Sequence, residues 1–263
     1  MSRIDIIPPI LCLDIGNTTC RSGVWSNGRI SQQQTVSTDE FKKHLPKWVN
    51  TLDHFKQISF CSVVPEVEEL LMLHLDSKSH KPFRLTALNQ SGLPIEYPKA
   101  EEIGSDRIAN SYAAYQKYQL PAVVIDLGTA TTFDVITKSG GYRGGVILPG
   151  PQGMLDYLGS KTALLPTIEL ATVSRMGKVI GQDTQTALMS GILNGYLPML
   201  KGVLEAIKIE LGSEGETIQS IIQTGGESKN FLMDEAIIDS TLTLEGLALA
   251  CIGKQANCKS HEC

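Results

Sequence analysis

Residues 122–134 read AVVIDLGTATTFD: a branched apolar run stops at Asp126, turns at Gly128, and passes through threonines to a second aspartate. Near the N-terminus, residues 10–23 read ILCLDIGNTTCRSG, with Asp14 and Gly16 at the matching places. Each apolar run predicts a buried strand, and each Asp-x-Gly opens a tight turn into a second strand, Thr19–Trp25 and Thr132–Ile136. This weak internal repeat predicts a duplicated architecture with a cleft between two related halves.

Glycine just beyond the acid lets the backbone turn sharply and lets a ligand approach where a Cβ would block it. Thr and Asn side chains, with the turn's own N–H groups, then form a cradle for phosphate oxygens. A carboxylate does not bind phosphate, but it holds a cation that does. Mg²⁺ takes one or two carboxylates together with waters and phosphate oxygens. On the residues alone, Asp14 and Asp126 on facing hairpins would grip a metal–nucleotide from both sides. A single Asp-x-Gly reads more simply as a turn; two copies at strand ends, each followed by threonines, favour the ligand. The chain has neither G-x-x-x-x-G-K-[ST] nor a strand followed by G-x-G-x-x-G, which disfavours P-loop and Rossmann sites.

Around these hairpins, short Val/Ile/Phe/Thr-rich segments predict strands at 10–13, 58–64, 83–87, 122–125, 132–136, 145–148 and 220–223. Helical periodicity predicts helices at 67–75, 105–119, 153–158, about 184–211, and 244–255. Strands alternating with helices in both halves mark an α/β protein. No Pro- or Ser-rich linker separates the halves, so two domains would be joined by a helix or a tight loop.

A third segment, YPKAEEIGSDRIANSYAAY (residues 97–115), places Gly104-Ser105-Asp106-Arg107 where a loop becomes a helix. Asp106 could serve as a cap and Arg107 as a solvated partner. The alternative is a carboxylate that accepts a hydroxyl proton during phosphoryl transfer, beside a guanidinium whose planar fork binds a substrate carboxylate.

The 263 residues suit one large domain or two modest ones, and a net charge of −5 argues against a nucleic-acid surface. No stretch reaches the 18–20 apolar residues of a membrane span, and the acid-interrupted start does not read as a signal peptide. Of six cysteines, Cys12, Cys61 and Cys251 sit in apolar runs and none forms a C-x-x-C pair, which fits a reducing cytoplasm. The tail residues Cys258, His261 and Cys263 could be imagined as a metal site; a frayed terminus is the simpler reading.

In order along the chain, D-I-G-N-T-T-C-R, G-S-D-R-I-A-N, D-L-G-T-A-T-T-F-D, Y-R-G-G-V-I-L-P-G, T-A-L-L-P, G-Q-D-T-Q-T-A-L-M-S-G, T-G-G at 224–226 and L-T-L-E-G-L at 242–247 resemble the type III pantothenate kinases. The resemblance spans nearly the whole chain. It implies the α/β fold of the actin-like ATPase superfamily: two ribonuclease-H-like domains, here 1–118 and 119–263, with a nucleotide cleft between them. It implies phosphorylation of pantothenate by ATP to 4′-phosphopantothenate, the first committed step of coenzyme A synthesis, by a cytoplasmic homodimer requiring Mg²⁺ and a monovalent cation, K⁺ or NH₄⁺.

By the same resemblance, Asp14, Ile15, Gly16, Asn17, Thr18, Thr19, Cys20 and Arg21 form the first phosphate loop, with Asp14 on the Mg²⁺ side. Asp106 is the general base. Gly104, Ser105, Asp106 and Arg107 form the pantothenate turn, with Tyr97 and Thr184 as further pocket residues. Thr129 contacts ATP, and Gly225 and Gly226 lie near the adenosine. Asp126 becomes a monovalent-cation ligand rather than the Mg²⁺ partner read from its spacing. Two positions depart from the family pattern: Arg21 where many relatives carry Lys, and Ala100 where Pro is common. A non-catalytic nucleotide-binding accessory protein, or a kinase for another small hydroxy acid, are the alternatives; the presence of both Asp106 and Arg107 counts against the first.

Overall fold

The N-terminal apolar run becomes β1 (Ile10–Ile15), buried at every position. It lies at the centre of a five-stranded sheet with β2 (Thr19–Ser26), β3 (Arg29–Ser37), β4 (Gln57–Ser62) and β5 (Phe83–Arg84), in the order β3-β2-β1-β4-β5. The structure, a computed structural model, describes residues 7–52, 55–77, 81–170 and 178–260. The tail residues His261 and Cys263, and the side chain of Cys258, lie outside the described part.

The period-2 alternation of β1 sorts its side chains between two faces. Leu11, Leu13 and Ile15 join a core with Phe41, Leu45 and Val49 of α1 (Thr38–Val49) and Val67, Leu71 and Leu75 of α2 (Pro65–Ser77). Even-numbered residues, Asp14 among them, face α6 (Leu242–Ser260), which also packs on β1. Next to α6 lies α3 (Ser105–Lys117).

A second five-stranded sheet has the order β10-β9-β6-β7-β8, from β6 (Ala122–Leu127), β7 (Ala130–Thr137), β8 (Gly141–Pro149), β9 (Ser220–Thr224) and β10 (Ile237–Ile238). β6 and β9 run parallel, with Asp126 opposite Thr224. Two helices accompany this sheet, α4 (Pro151–Lys161) and α5 (Thr184–Ser213). α5 buries Met189, Ile192, Tyr196, Leu200, Leu204, Ile207 and Leu211, a stripe at helical spacing. Its start is fixed by a capping box: Thr186 N donates to Asp183 Oδ1 at 2.8 Å while the Thr186 hydroxyl receives the Asp183 N–H.

The chain divides into two compact units that are not simply successive. The first comprises Met1–Tyr118, Val135–Gly144 and Thr241–Cys263; the second comprises Gln119–Asp134 and Gly145–Ser240. The last helix belongs with the first unit because its apolar face, with Leu242, Leu247, Ala248 and Cys251 buried, packs on α3 and β1.

Most predicted elements are present with small changes of boundary. The strand expected at 83–87 is only two residues long, because Thr86 and Asn89 close a turn: Thr86 N donates to Asn89 Oδ1 at 2.9 Å and Asn89 N to Thr86 Oγ1 at 3.3 Å. β3, α1 and β10 lie outside the segments that periodicity predicts. β3 is an edge strand of mostly exposed polar residues, and α1 carries Pro46 in its interior.

Candidate active site

In the first unit the candidate residues gather at the carboxyl ends of β1 and β4. The β1–β2 hairpin sets Asp14 opposite Arg21, and the parallel β1–β4 pairing sets it opposite Cys61. Arg21 delivers Nε (3.0 Å) and Nη2 (2.7 Å) to Asp14 Oδ2, and the Cys61 thiol donates to Oδ1 at 3.5 Å. Asp14 is only 5 % exposed, so the guanidinium supplies the opposite charge its burial demands. Cys61 itself is held well above the usual thiol pKa, first by burial and then by the negative charges of Asp14 and Asp106, with Arg21 pulling the other way. Both carboxylates thus lie within electrostatic reach of one buried thiol.

The hairpin tip forms the loop expected for phosphates. Gly16 N donates to Thr19 O at 3.0 Å, and the Thr38 hydroxyl caps Gly16 O at 2.6 Å. Asn17, Thr18 and Thr19 are exposed. Ile15 and Cys20 point into the core, so of these two only the backbone can serve a ligand. Burial and the Asp14 charge push the Cys20 thiol up to about 12.

Gly104 caps the start of α3, and Ser105 ties that start to β4: its hydroxyl donates to Ser62 O (2.9 Å) and accepts from Ser62 N (3.1 Å). Asp106 follows in the first turn, its Oδ1 accepting from Arg107 N at 2.8 Å, where the helix dipole favours a negative charge. Arg107 lies 5.8 Å from the ring centroid of Tyr142, within cation–π range. Tyr142 also packs on Tyr97, centroids 5.9 Å apart. Backbone bonds Tyr142 N to Pro94 O (2.9 Å) and Glu96 N to Tyr142 O (2.8 Å) bring the Tyr97 segment there. Tyr97, Tyr142 and Arg107 thus form one wall. Tyr142 is fully buried; it begins the Y-R-G-G motif, but nothing in the sequence marks it as a partner of Arg107. A cavity of about 440 Å³, lined among others by Ser62, Arg84, Thr86 and Glu101, opens against the Gly104–Ser105 turn.

The second unit gathers Asp126, Thr129, Gly225 and Gly226. Gly225 has φ +94°, and a Cβ there would lie 2.5 Å from Asp126 Oδ1 and collide with Leu127 O. Only glycine fits both the backbone angle and the space. Glu227 N donates to Leu127 O (3.0 Å) and Gly150 N to Thr129 O (3.0 Å), so the Asp126–Ala130 turn is held from both sides. Gln223, fully buried, shapes the loop after β9: its Nε2 donates to Ser228 O and Phe231 O, both at 2.8 Å, and Met233 N donates to its Oε1 at 3.1 Å. Thr184, also in this unit, is the exposed first residue of α5.

The donor sets fit the expected ions. Among the described residues no group of three or more His, Cys, Asp or Glu side chains could hold a metal. Asp14, already paired with Arg21, offers one hard carboxylate with lone pairs left over, and Mg²⁺ accepts a single carboxylate completed by waters and phosphate oxygens. Asp126, a half-buried carboxylate near a strand end, suits a weakly held monovalent cation equally well.

Two five-stranded sheets with helices, and Asp-x-Gly turns at the ends of β1 and β6, define the α/β fold shared by sugar kinases and actin-like ATPases. The ROK hexokinase of Thermus thermophilus superposes with a TM-score of 0.52 at 11% identity, covering 95% of this chain and 99% of that one. MreB5 of Spiroplasma citri gives 0.51 at 13%, covering 97% and 98%. A Campylobacter jejuni protein described as a Baf family transcriptional activator gives 0.60 at 23%, covering 94% and 99%. These likenesses concern the fold. The type III pantothenate kinase family model matches residues 10–206. Proteins named type III pantothenate kinase from Methylacidiphilum infernorum and Kosmotoga olearia are 36% and 35% identical, over 91% and 92% of this chain and 87% and 95% of their own lengths. The chain belongs to the type III pantothenate kinase family.

Proposed function

We propose that the protein transfers the γ-phosphoryl group of ATP to the hydroxyl of pantothenate, giving ADP and 4′-phosphopantothenate. The observation that carries this reading is the Gly104–Arg107 turn: a carboxylate and a guanidinium side by side at a helix start, backed by Tyr97 and Tyr142, in a chain of this family.

Asp106 takes the hydroxyl proton as the pantothenate oxygen bonds to the γ-phosphorus and the bridging oxygen leaves with ADP. Arg107 pairs its planar fork with the substrate carboxylate and so fixes the hydroxyl relative to Asp106. The backbone N–H groups of the Gly16–Thr19 tip cradle phosphate oxygens, and Thr129, Gly225 and Gly226 line the nucleotide. Asp14 would hold Mg²⁺ and Asp126 the monovalent cation, and such ions would supply positive charge against the phosphate oxygens. Phosphoryl transfer rests mostly on such positioning and electrostatics.

A homodimer is the expected assembly. The second unit exposes Tyr157, Leu164, Val179 and Ile180, large apolar side chains of the kind a partner surface covers. In such a dimer one subunit would present Thr184 to the pantothenate pocket of the other. No helix among the described residues is long and apolar enough to cross a membrane; a cytoplasmic location is part of the proposal. ADP release measured with pantothenate, other hydroxy acids and sugars tests the reading. Turnover specific to pantothenate supports it; preference for another acceptor overturns the substrate.

A further inference from the structure

The motif LTLEGL, residues 242–247, has no part in the chemistry described so far. In the fold it forms the first turns of α6, which crosses α3 so closely that a Cβ on Gly246 would overlap the carbonyl of Ala109. That approach lays Thr243 against two polar groups. Its hydroxyl donates to Asn110 Oδ1 at 2.8 Å and accepts from Arg21 Nη2 at 3.5 Å. Thr243 is 2 % exposed and Asn110 is fully buried.

The direction of these bonds matters. A hydroxyl has one proton, and Thr243 gives it to Asn110, so a lone pair faces the guanidinium. Arg21 is thereby braced on one side by Thr243, while its Nε and Nη2 converge on Asp14 Oδ2. Asn110 stands one helical turn after Asp106 on α3. A continuous polar chain therefore runs from the helix that carries Asp106 to the strand end that carries Asp14. It requires arginine at position 21: a lysine ammonium is a point charge and cannot hold two donors in a fixed plane against one carboxylate.

We infer that Thr243 and Asn110 are positioning residues. They set the plane of the Arg21 guanidinium and, through it, the orientation in which Asp14 meets the Mg²⁺ of the bound nucleotide. The inference rests on the reading of Asp14 as the Mg²⁺ carboxylate given above.

The test is equilibrium binding of ADP to the full-length protein as Mg²⁺ is titrated, with no turnover involved. In Thr243→Val the Mg²⁺ needed for half-maximal effect rises roughly tenfold, the size typical for losing a group that orients a metal ligand. ADP affinity without metal stays unchanged, and Thr243→Ser restores the wild-type Mg²⁺ dependence. Arg21→Lys shows a similar loss, and adding Thr243→Val to it costs nothing further, since both act through one chain. Wild-type Mg²⁺ dependence in Thr243→Val, or full additivity in the double variant, overturns the inference. Should the valine variant not fold, Thr243→Ala is read in its place. Asp14→Asn separates the two levels. If it too leaves Mg²⁺ dependence unchanged, the assignment of Asp14 fails; if it alone abolishes that dependence, only the positioning role fails.

Discussion

Gly246→Ala is a substitution on which helix propensity and packing give opposite answers. In a helix interior, alanine is favoured over glycine by about 1 kcal/mol, so an isolated α6 would be stabilised. In the fold the new Cβ would overlap the carbonyl oxygen and carbon of Ala109 and lie 3.1 Å from its Cα. These are backbone atoms of α3, which no rotamer change can move. Relief requires α6 to withdraw from α3 by about an ångström, a gap that forfeits roughly a quarter to a half of each dispersion contact across it. The two helices pack along their length, and Ile108, Ala109, Tyr112 and Ala113 on α3 and Leu242, Leu247 and Ala248 on α6 are buried. Overpacking of this kind costs about 1–3 kcal/mol and often more when backbone must shift. With lost packing added and the propensity gain subtracted, destabilisation of about 2–3 kcal/mol is expected. Thermal unfolding should occur roughly 5–10 °C lower than in the wild type for a chain of this size, with a matching fall in the urea midpoint. An unchanged or raised Tm would refute the packing argument and leave propensity as the winner.

Gly225→Ala should weaken ADP binding by about tenfold or more, because a positive φ and a clash with Asp126 Oδ1 and Leu127 O together cost roughly 2 kcal/mol in the folded loop; calorimetric titration checks it. Tyr196→Phe removes the hydroxyl shared with Thr131 (2.5 Å) and bonded to Pro149 O (3.2 Å), and denaturant unfolding should show a loss of about 1–2 kcal/mol. The thiols of Cys20 and Cys251 are raised from 9.0 to about 12 and about 11, chiefly by burial. Between pH 9 and 11 the unfolded chain has therefore shed thiol protons that the folded chain retains, so their contribution to stability is complete below pH 9 and declines as pH rises. Urea midpoints measured from pH 8 to 10.5 should fall, and a Cys20→Ser/Cys251→Ser variant should show a shallower decline. An identical slope in that variant would contradict the assignment.

The parts of the fold legible in the sequence were those governed by local rules. Asp14 and Asp126 stand out because each closes an uninterrupted apolar run, one residue before its strand ends. The α5 stripe from Met189 to Leu211 was readable from its spacing alone. β3 was not, because an edge strand with Gln32, Gln33 and Gln34 exposed shows no alternation. α1 was hidden by Pro46 and by the polar approach to it, although Ser37 followed by Glu40 was a capping signal: Glu40 N donates to the Ser37 hydroxyl at 3.1 Å.

In the candidate site, the residues contributed by single turns were readable, and those joined by tertiary contact were not. The pairing of Arg21 with Asp14 depends on hairpin register, which the sequence does not state. Tyr142 reaches Arg107 and Tyr97 only because residues 94–96 pair with the start of β8. Thr243 and Arg21 are 222 positions apart and meet only because the final helix returns to the first unit.

The measurement closest to the central claim is pantothenate-dependent ADP release by the wild-type protein and by Asp106→Asn, with ADP binding followed in parallel. The account predicts turnover that requires pantothenate, a fall of about 10²–10⁴-fold or more in the variant, and nearly unchanged ADP affinity. Wild-type turnover by Asp106→Asn, or no ADP release when pantothenate is supplied to the wild type, would contradict it.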